Sequence, residues 1–372
     1  MYKKSLKPMI ARMDDSIFEA YWNYQRSKVP TMVVDQEDKF VGIIGHTEWI
    51  RALYSTPHKF THVNQIVNTK CTSIGEENPY SEARNIFSDR NINFLPVVNK
   101  DKDLIDFFIP ERAFYKDYYW EGKLPRMYYA NIIWAAAMEA KALGYSRISV
   151  VEFGVAGGNG LLNMQFHARE IGRLFGVEIE VYGFDSGEGV LMLDREHEDA
   201  WKEMHSNFAV GDFCTDYSVL SERLDTAKLI IGDIKDTGKI FYEKYNPAPL
   251  AAISIDVDVY SGTKYILDML DTSSENVLPY IYMYWDDIYR GYENVGEGRA
   301  LREFNEYHKD VIEIACDGNA ERTFGQTSFG TIQSFKWEPS YRVCHYYKHP
   351  QYMVRPNVET PLLPLGLERY LP

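Results

Sequence analysis

The chain has 372 residues, of which 45% are hydrophobic, and a formal net charge of −14 at pH 7. This length exceeds what a single hydrophobic core usually supports, so two domains are expected. The negative charge argues against a nucleic-acid partner and against electrostatic docking to an anionic membrane, because both need a basic face.

Neither a targeting signal nor a membrane span is predicted from the sequence. The N-terminal lysines are followed by Arg12, Asp14 and Asp15 and not by an apolar run, so no signal peptide is predicted. No stretch reaches the ~18 uninterrupted apolar residues of a membrane span. The four cysteines lie far apart with no CxxC pair, which favours free thiols and a cytoplasmic location.

The first third of the chain contains an internal repeat. Residues 33–44 align with residues 97–108, and in both copies two apolar strands flank a polar turn. A helix is predicted before each copy, over 17–26 and 81–90. Two equivalent α-β-β units that stack on each other are therefore expected.

This repeat resembles a tandem pair of CBS domains, which we assign to residues 1–115. Such pairs often bind adenosine-containing ligands in the cleft between the repeats, where an Asp after the second strand holds the ribose. Glu48 is the single candidate for that Asp, since the second copy has Arg112 at the same position. A structural or dimerising role and regulatory binding of an adenosine nucleotide both stay open.

Residues 116–126, predicted as a linker or a docking helix, connect this domain to a second one over 127–372. A helix is predicted over 127–143, and a strand of apolar and β-branched residues over 147–153. Such a strand is typical of a parallel sheet that is covered on both faces. It ends in glycines, which allow a sharp turn and the close approach of a ligand, before a helix over 161–175.

A second apolar strand, predicted over 177–184, ends in Asp185. This is where dinucleotide-binding βαβ units carry the acidic residue that holds a ribose diol. Their GxGxxG fingerprint needs a third glycine at the start of the helix, whereas here residues 158–160 run into Leu161. The pattern argues against NAD, and the lack of a GK[ST] motif argues against a P-loop. A nicotinamide oxidoreductase is a third hypothesis, which the missing third glycine weakens.

The motifs EFGVAGG at 152–158 and FDSGEG at 184–189 resemble class I S-adenosylmethionine-dependent methyltransferases, and among them the macrocin O-methyltransferase family. Three further segments match in order: GDIKDT at 232–237, DVDVY at 256–260 and the acid pair at 286–287. The resemblance implies a Rossmann-like α/β fold, with a mostly parallel seven-stranded sheet and helices on both faces.

The resemblance also implies a site for S-adenosyl-L-methionine. The residues that it assigns to this cofactor are Glu152, Gly154, Ala156, Gly158, Asp185, Ser186 and Asp233. Glu152 would face the methionine amino group, and the glycines would admit the methionine part. Asp185 and Ser186 would hold the ribose, while Asp233 would meet the adenine.

Carboxylates follow two further predicted strands, over 250–255 and 280–285. The four acids are Asp256, Asp258, Asp286 and Asp287. Ligands collect outside the carboxyl ends of strands in an open α/β sheet, so these acids should converge near the cofactor. Oxygen ligands favour Mg²⁺ or Mn²⁺ here. The resemblance makes the last three the metal ligands, while Asp256 could instead cap a helix and the 286–287 pair could be a solvated loop.

These features predict a metal-assisted O-methyltransferase that acts on a hydroxyl of a sugar or sugar-bearing small molecule. A divalent ion on two vicinal hydroxyls would lower the pKa of the alcohol and fix its position for in-line transfer. Asp258 is the candidate catalytic base, with His167, His197 and His205 as alternatives. The leading alternative function is a non-enzymatic sensor of adenosyl ligands. A homo-oligomer is expected.

Two segments are predicted to be irregular. Residues 296–299 would form a loop after the fifth strand, in which Arg299 could position an acidic acceptor. Residues 337–372, rich in proline, would wrap the surface or cover the active site.

Overall fold

The chain divides into two compact units in a computed structural model. Unit 1 comprises Met1–Met127 and Asp216–Ala227, and unit 2 comprises Tyr128–Thr215 and Lys228–Pro372. The structure describes residues 4–27, 29–54, 61–189, 210–257, 259–288, 294–316 and 340–354. The segment 116–126, predicted as a linker, lies within unit 1, as does the later insertion at 216–227.

Unit 1 contains two copies of one three-stranded sheet. The first has β1 (Ile10–Arg12), β2 (Thr31–Val34) and β3 (Phe40–Ile44), with β1 parallel and β3 antiparallel to β2. The second has β4 (Ile74–Gly75), β5 (Leu95–Val98) and β6 (Leu104–Phe108), with the same order and directions. The helices of this part are α1 (Ile17–Ser27), α2 (His46–Leu53), α3 (Pro79–Asp89), α4 (Pro110–Ala113) and α5 (Tyr115–Trp120), with short 3₁₀ helices at Lys4–Met9 and Val63–Gln65.

The two copies share part of their cores. Each copy has its own cluster of buried apolar side chains. A third cluster combines Leu6 and Met32 from the first copy with Phe94 and Leu104 from the second. The copies are therefore packed into one unit, as the internal repeat predicts.

Unit 2 is built on a seven-stranded sheet. Its strands are β7 (Arg147–Phe153), β8 (Glu178–Asp185), β9 (Lys228–Ile231), β10 (Leu250–Ile255), β11 (Val277–Trp285), β12 (Ile312–Cys316) and β13 (Ser340–Tyr346). Their order is β12-β13-β11-β10-β7-β8-β9. The five strands from β11 to β9 are parallel, whereas β13 is antiparallel to both of its neighbours. The α/β class predicted from the sequence is confirmed.

The second half begins with α6 (Met127–Leu143), which precedes β7, and its other helices lie between the sheet strands in the chain. They are α7 (Asn159–Phe175), α8 (Tyr217–Arg223), α9 (Ile234–Thr237), α10 (Phe241–Tyr245), α11 (Tyr260–Asp268) and α12 (Gly296–Tyr307), with a 3₁₀ helix at Ser274–Asn276. Helix α8 lies in the inserted segment of unit 1, where it packs against the 3₁₀ helix Lys4–Met9. The chain thus leaves the sheet after β8 and returns to it at β9.

Two predictions of irregular structure are wrong. Residues 296–299 form the first turn of α12, where Glu297 is fully buried. Part of the predicted surface segment is strand β13, which is inserted between β11 and β12 and buries Tyr341 and Tyr346. Residues 337–339 and 355–372 of that segment lie outside the described residues.

All four cysteines, each in the described part of the chain, are free, and burial raises the pKa of the Cys344 thiol. Across the described ranges, none of the helices has the length and apolar character to cross a bilayer.

A buried ion pair stabilises the second repeat. Arg112 is 6% exposed, and its Nη1 lies 2.9 Å from Asp106 Oδ1. We expect Arg112→Met to lower the free energy of unfolding by about 3 kcal/mol, because the Asp106 carboxylate, whose side chain is only 15% exposed, would lose this counter-ion. Equilibrium urea unfolding measures the loss. Arg84→Met, which breaks a half-exposed pair with Asp117, is the control and should cost less than ~1 kcal/mol; equal losses would contradict the prediction.

Candidate functional site

The sheet of unit 2 reverses its direction of growth between β7 and β10. The chain adds β8 and β9 on one side of β7 and then crosses to add β10 and β11 on the other side. This arrangement of the first five strands is the one found in doubly wound nucleotide-binding sheets, where ligands bind outside the carboxyl ends of the strands at the reversal. The described residues that directly follow β7, β8, β10 and β11 therefore form the candidate site.

Glycines shape the loop after β7. Gly154 has a φ of +86°, and a Cβ atom there would collide with the backbone oxygen of Asp256. The glycine thus lets the end of β7 pass close to the end of β10. Ala156 also has a positive φ, of 43°, and Gly158 is the left-handed N-cap residue of α7.

Asp185 ties two loops of the site together. Its Oδ2 accepts hydrogen bonds from the backbone N–H groups of Val155 and Ala156 at 3.0 and 2.9 Å, and its Oδ1 accepts one from Gly187 at 2.9 Å. The carboxylate therefore organises the glycine-rich loop. A carboxylate oxygen can accept two hydrogen bonds, so these contacts are compatible with the predicted binding of a ribose diol.

Ser186 and Asp233 make local contacts in the neighbouring loops. Ser186 Oγ donates to the carbonyl of Gly189 at 2.9 Å, which closes a tight turn. Asp233 Oδ1 accepts from the N–H of Lys235 at 2.9 Å and caps α9. The contacts of these two side chains shape the backbone of the site, and their predicted roles toward ribose and adenine stay predictions.

Glu152 is a buried carboxylate beneath the start of α7. It is 2% exposed, and its Oε1 accepts a hydrogen bond of 2.5 Å from the hydroxyl of Tyr129. A Cβ atom at position 160 would collide with the same oxygen. Because residue 160 is glycine, helix α7 can pass directly over Glu152. Burial, with the neighbouring carboxylate, raises the pKa of Tyr129 well above its usual value, which keeps this hydroxyl a donor.

Three of the four predicted metal ligands lie together. Asp256, Asp286 and Asp287 each contribute one carboxylate oxygen to a group whose members lie within 4.8 Å of one another. The backbone N–H of Asp256 donates to Phe153 at 3.0 Å, and that of Asp286 donates to Ile255 at 3.0 Å, so the sheet ladder continues into these positions.

The surroundings of the three acids argue against a solvated loop for Asp287 and against a helix cap for Asp256. Asp287 is 3% exposed, which does not fit a solvated loop pair. The N-cap residue of α11 is Val259, so Asp256 does not cap that helix. Asp258, the predicted base and fourth ligand, lies outside the described residues, and both of its roles stay predictions.

The donor set fits a hard divalent cation. Three converging carboxylates repel one another unless a positive charge lies between them. Mg²⁺ and Mn²⁺ prefer such oxygen ligands, and Mg²⁺ completes its shell with water and substrate oxygens. We therefore name Asp256, Asp286 and Asp287 as the residues that would hold the ion.

The sequence interpretation missed Glu297. Its side chain is fully buried at the start of α12, and its Oε2 accepts from the N–H of Asp287 at 3.3 Å. Because the segment was predicted as a loop, a buried acid next to the cluster was not expected there. The helical spacing from Glu297 to Ala300 and Phe304 is the signal that could have found it.

Other predicted residues take structural positions. His167 is fully buried on α7, while His197 and His205 lie outside the described residues. Arg299 Nε lies 2.8 Å from Glu303 Oε1 on its own helix. The positioning of an acidic acceptor by Arg299 therefore stays a prediction.

In unit 1, the predicted ligand position is part of a helix cap. Glu48 Oε2 accepts from the N–H of Gly45 at 2.9 Å, at the start of α2. At the equivalent position of the second copy, Arg112 pairs with Asp106. Both side chains thus have partners within the unit.

Comparison with protein families finds a match within unit 1. Residues 63–108 match the family model of the CBS domain. This segment is a CBS domain. It covers the second copy of the repeat from the 3₁₀ helix Val63–Gln65 to β6 and confirms that part of the predicted pair. The methyltransferase resemblance of unit 2 is not supported by this match.

Several solved structures are similar to part of the chain. CBSX2 in complex with AMP is 16% identical, with a TM-score of 0.25, over 29% of this chain and 85% of that one. The CBS domain pair of protein MJ0100, in complex with 5′-methylthioadenosine and S-adenosyl-L-methionine, is 22% identical, with a TM-score of 0.26, over 30% and 87%. Staphylococcus aureus OpuCA is 14% identical, with a TM-score of 0.26, over 30% and 94%. No curated protein matches the chain.

Proposed function

We propose that unit 2 binds S-adenosyl-L-methionine and transfers its methyl group, with the help of a divalent cation, to a hydroxyl of a sugar or sugar-bearing small molecule. One observation carries this proposal. Carboxylate oxygens of Asp256, Asp286 and Asp287 converge at the carboxyl edge of the sheet, next to the glycine-rich loop that Asp185 organises.

Different residues at this edge of the sheet would bind the cofactor and the cation. When bound, the cofactor supplies an activated methyl group, and the cation supplies a positive charge that lowers the pKa of a coordinated hydroxyl. Asp185 holds the loop that would receive the cofactor, whereas Asp256, Asp286 and Asp287 would hold the ion. Asp258 would accept the proton of the acceptor hydroxyl.

A second candidate function is an adenosyl-ligand sensor without enzymatic activity. The CBS domain at residues 63–108 favours it, because CBS pairs often bind adenosine-containing ligands. The family match supports this candidate more directly than it supports methyl transfer. In unit 1, an adenosine nucleotide near Glu48 would have to compete for the carboxylate oxygen that caps α2.

We also propose a cytoplasmic homo-oligomer that assembles through unit 1. Large apolar side chains on α1 and α2 are exposed, among them Phe18 (70%), Trp22 (63%) and Leu53 (52%). In the second copy, α3 and α5 expose the ion pair of Arg84 with Asp117, and α5 also exposes one large apolar side chain, Trp120 (59%). The exposed apolar side chains are thus more numerous on the helices of the first copy, which favours that surface for assembly.

Calorimetric titration of S-adenosyl-L-methionine into the full chain tests the cofactor site. We expect Asp185→Ala to raise the dissociation constant by ~30-fold or more, because the loop loses three charge-assisted hydrogen bonds, each worth roughly 2 kcal/mol. The control is Asp216→Ala, which removes an Asp side chain that accepts a backbone hydrogen bond at the start of α8 in unit 1. It should leave the dissociation constant unchanged.

The outcomes separate the two candidates. Unchanged binding in Asp185→Ala would contradict a cofactor site in unit 2 and favour a sensor that binds the ligand in unit 1. Absence of binding in the wild type would contradict the methyltransferase proposal itself.

A further inference from the structure

A row of buried polar side chains crosses the sheet of unit 2 two residues before the carboxylate cluster. Its members are Glu152 on β7, Ser254 on β10, Tyr284 on β11 and Tyr341 on β13, which pair in register on neighbouring strands. All four are buried, with exposures of 2%, 0%, 7% and 2%. Residues that pair in register point to the same face of a sheet, so the four side chains form one polar line.

The first turn of α6 covers this row. The hydroxyl of Tyr129 donates to Glu152, as described above, and Asn131 Nδ2 donates to the hydroxyl of Tyr341 at 2.9 Å. Between them, the ring of Tyr128 stacks on that of Tyr284, with centroids 4.2 Å apart and planes inclined by 18°. One helical turn therefore restrains three members of the row.

Tyr284 connects this row to the carboxylate cluster. Its hydroxyl donates to Asp286 Oδ1 at 2.6 Å. Asp286 follows Tyr284 by two residues at the end of β11, which places both side chains on the same side of the strand. The ring of Tyr284 is held by Tyr128, so its hydroxyl gives the Asp286 carboxylate a fixed partner.

We propose that Tyr284 is a positioning residue for the cation site, which fixes the orientation of Asp286 through its hydroxyl. This inference rests on the proposed binding of a cation by Asp256, Asp286 and Asp287. Ligating carboxylates are themselves held by hydrogen bonds from an outer layer of side chains, and loss of such a partner typically costs 10–100-fold in metal affinity. Tyr284, supported by Tyr128, belongs to such a layer here.

Titration of Mn²⁺ into the full chain, with free Mn²⁺ followed by electron paramagnetic resonance, tests this role without requiring turnover. We expect Tyr284→Phe, which keeps the ring stacked on Tyr128, to weaken Mn²⁺ binding by ~10-fold or more. The matched control is Tyr341→Phe. It removes another buried hydroxyl from the same row, one that is bonded to Asn131, and should leave the Mn²⁺ dissociation constant within about twofold of the wild type.

A second variant tests the same inference in case Tyr284→Phe does not fold. Tyr128→Leu removes the stacking partner of Tyr284 at a half-buried position and keeps the Tyr284 hydroxyl, so we expect a smaller loss of Mn²⁺ affinity, of about threefold. Thermal unfolding of each variant reports whether it is folded. An unchanged affinity in Tyr128→Leu would count against the inference even if Tyr284→Phe could not be purified.

Three further results would overturn the inference. If Tyr284→Phe binds Mn²⁺ as the wild type does, or if Tyr341→Phe loses as much affinity, Tyr284 does not act on Asp286 and the cation site itself stands. If the wild type binds no Mn²⁺, the proposed cation site fails and the role of Tyr284 fails with it.

Discussion

Replacement of Asp286 and Asp287 together by Asn is expected to abolish divalent-cation binding and to leave the binding of S-adenosyl-L-methionine intact. The amides remove two of the three negative charges that converge in the cluster, and a neutral amide is a much weaker ligand for Mg²⁺ or Mn²⁺. We expect the Mn²⁺ dissociation constant to rise at least ~100-fold, which is the upper end of what loss of an outer partner causes. Metal-dependent methyl transfer should fall with it.

The cofactor should still bind because Asp185, on a different strand, organises its loop. Calorimetry with Mn²⁺ and with S-adenosyl-L-methionine, each in a separate titration and repeated after EDTA, measures both affinities. Asp268→Asn with Asp271→Asn is the matched control. It makes the same change of charge at or just after the end of α11, where the Asp268 side chain is half exposed and that of Asp271 is 72% exposed.

An unchanged Mn²⁺ affinity in the Asp286/Asp287 variant would show that the cluster is not the cation site. The sensor candidate would then be favoured, because a sensor does not need a metal. A parallel loss of affinity for both ligands would instead indicate that the carboxyl edge of the sheet had collapsed.

Gly154→Ala is expected to lower the free energy of unfolding of unit 2 by about 2 to 5 kcal/mol. Gly154 has a φ of +86°, which costs an L-residue roughly 1 to 2 kcal/mol. The new methyl group would also collide with the backbone oxygen of Asp256, which cannot move without displacing the end of β10. Overpacking of this kind adds about 1 to 3 kcal/mol.

Two glycines serve as controls for the separate causes. Gly176 has a φ of +70°, and among the described residues nothing lies within 4 Å of its added Cβ, so Gly176→Ala should show the backbone cost alone, of about 1 to 2 kcal/mol. Gly157 has neither a positive φ nor a described neighbour at that distance, and Gly157→Ala should change stability by less than ~0.5 kcal/mol.

Equilibrium urea unfolding, followed by circular dichroism, measures the three free energies. A loss in Gly154→Ala no larger than that in Gly176→Ala would show that the ends of β7 and β10 do not approach each other as closely as described. Because Asp256 follows β10, we also expect Gly154→Ala to weaken Mn²⁺ binding in whatever fraction remains folded.

Elements with strong local patterns could be predicted from the sequence by itself. Helix α6 and the strands β7 and β10 have the bounds that their apolar periodicity indicates, since each carries its signal within one continuous segment. The internal repeat of unit 1 was visible for the same reason. The positions of Asp185, Asp256 and the 286–287 pair at strand ends followed from where those strands stop.

Features that depend on contacts between distant segments were decided by the tertiary structure. Strand β13 pairs between β11 and β12, and α8 leaves the order of the sheet to pack in unit 1; no local pattern encodes either choice. The same holds for the row that contains Tyr284 and Tyr341, whose members come from four strands. Their relation exists because strand register and the first turn of α6 bring them together, and register is set by pairing across the whole sheet.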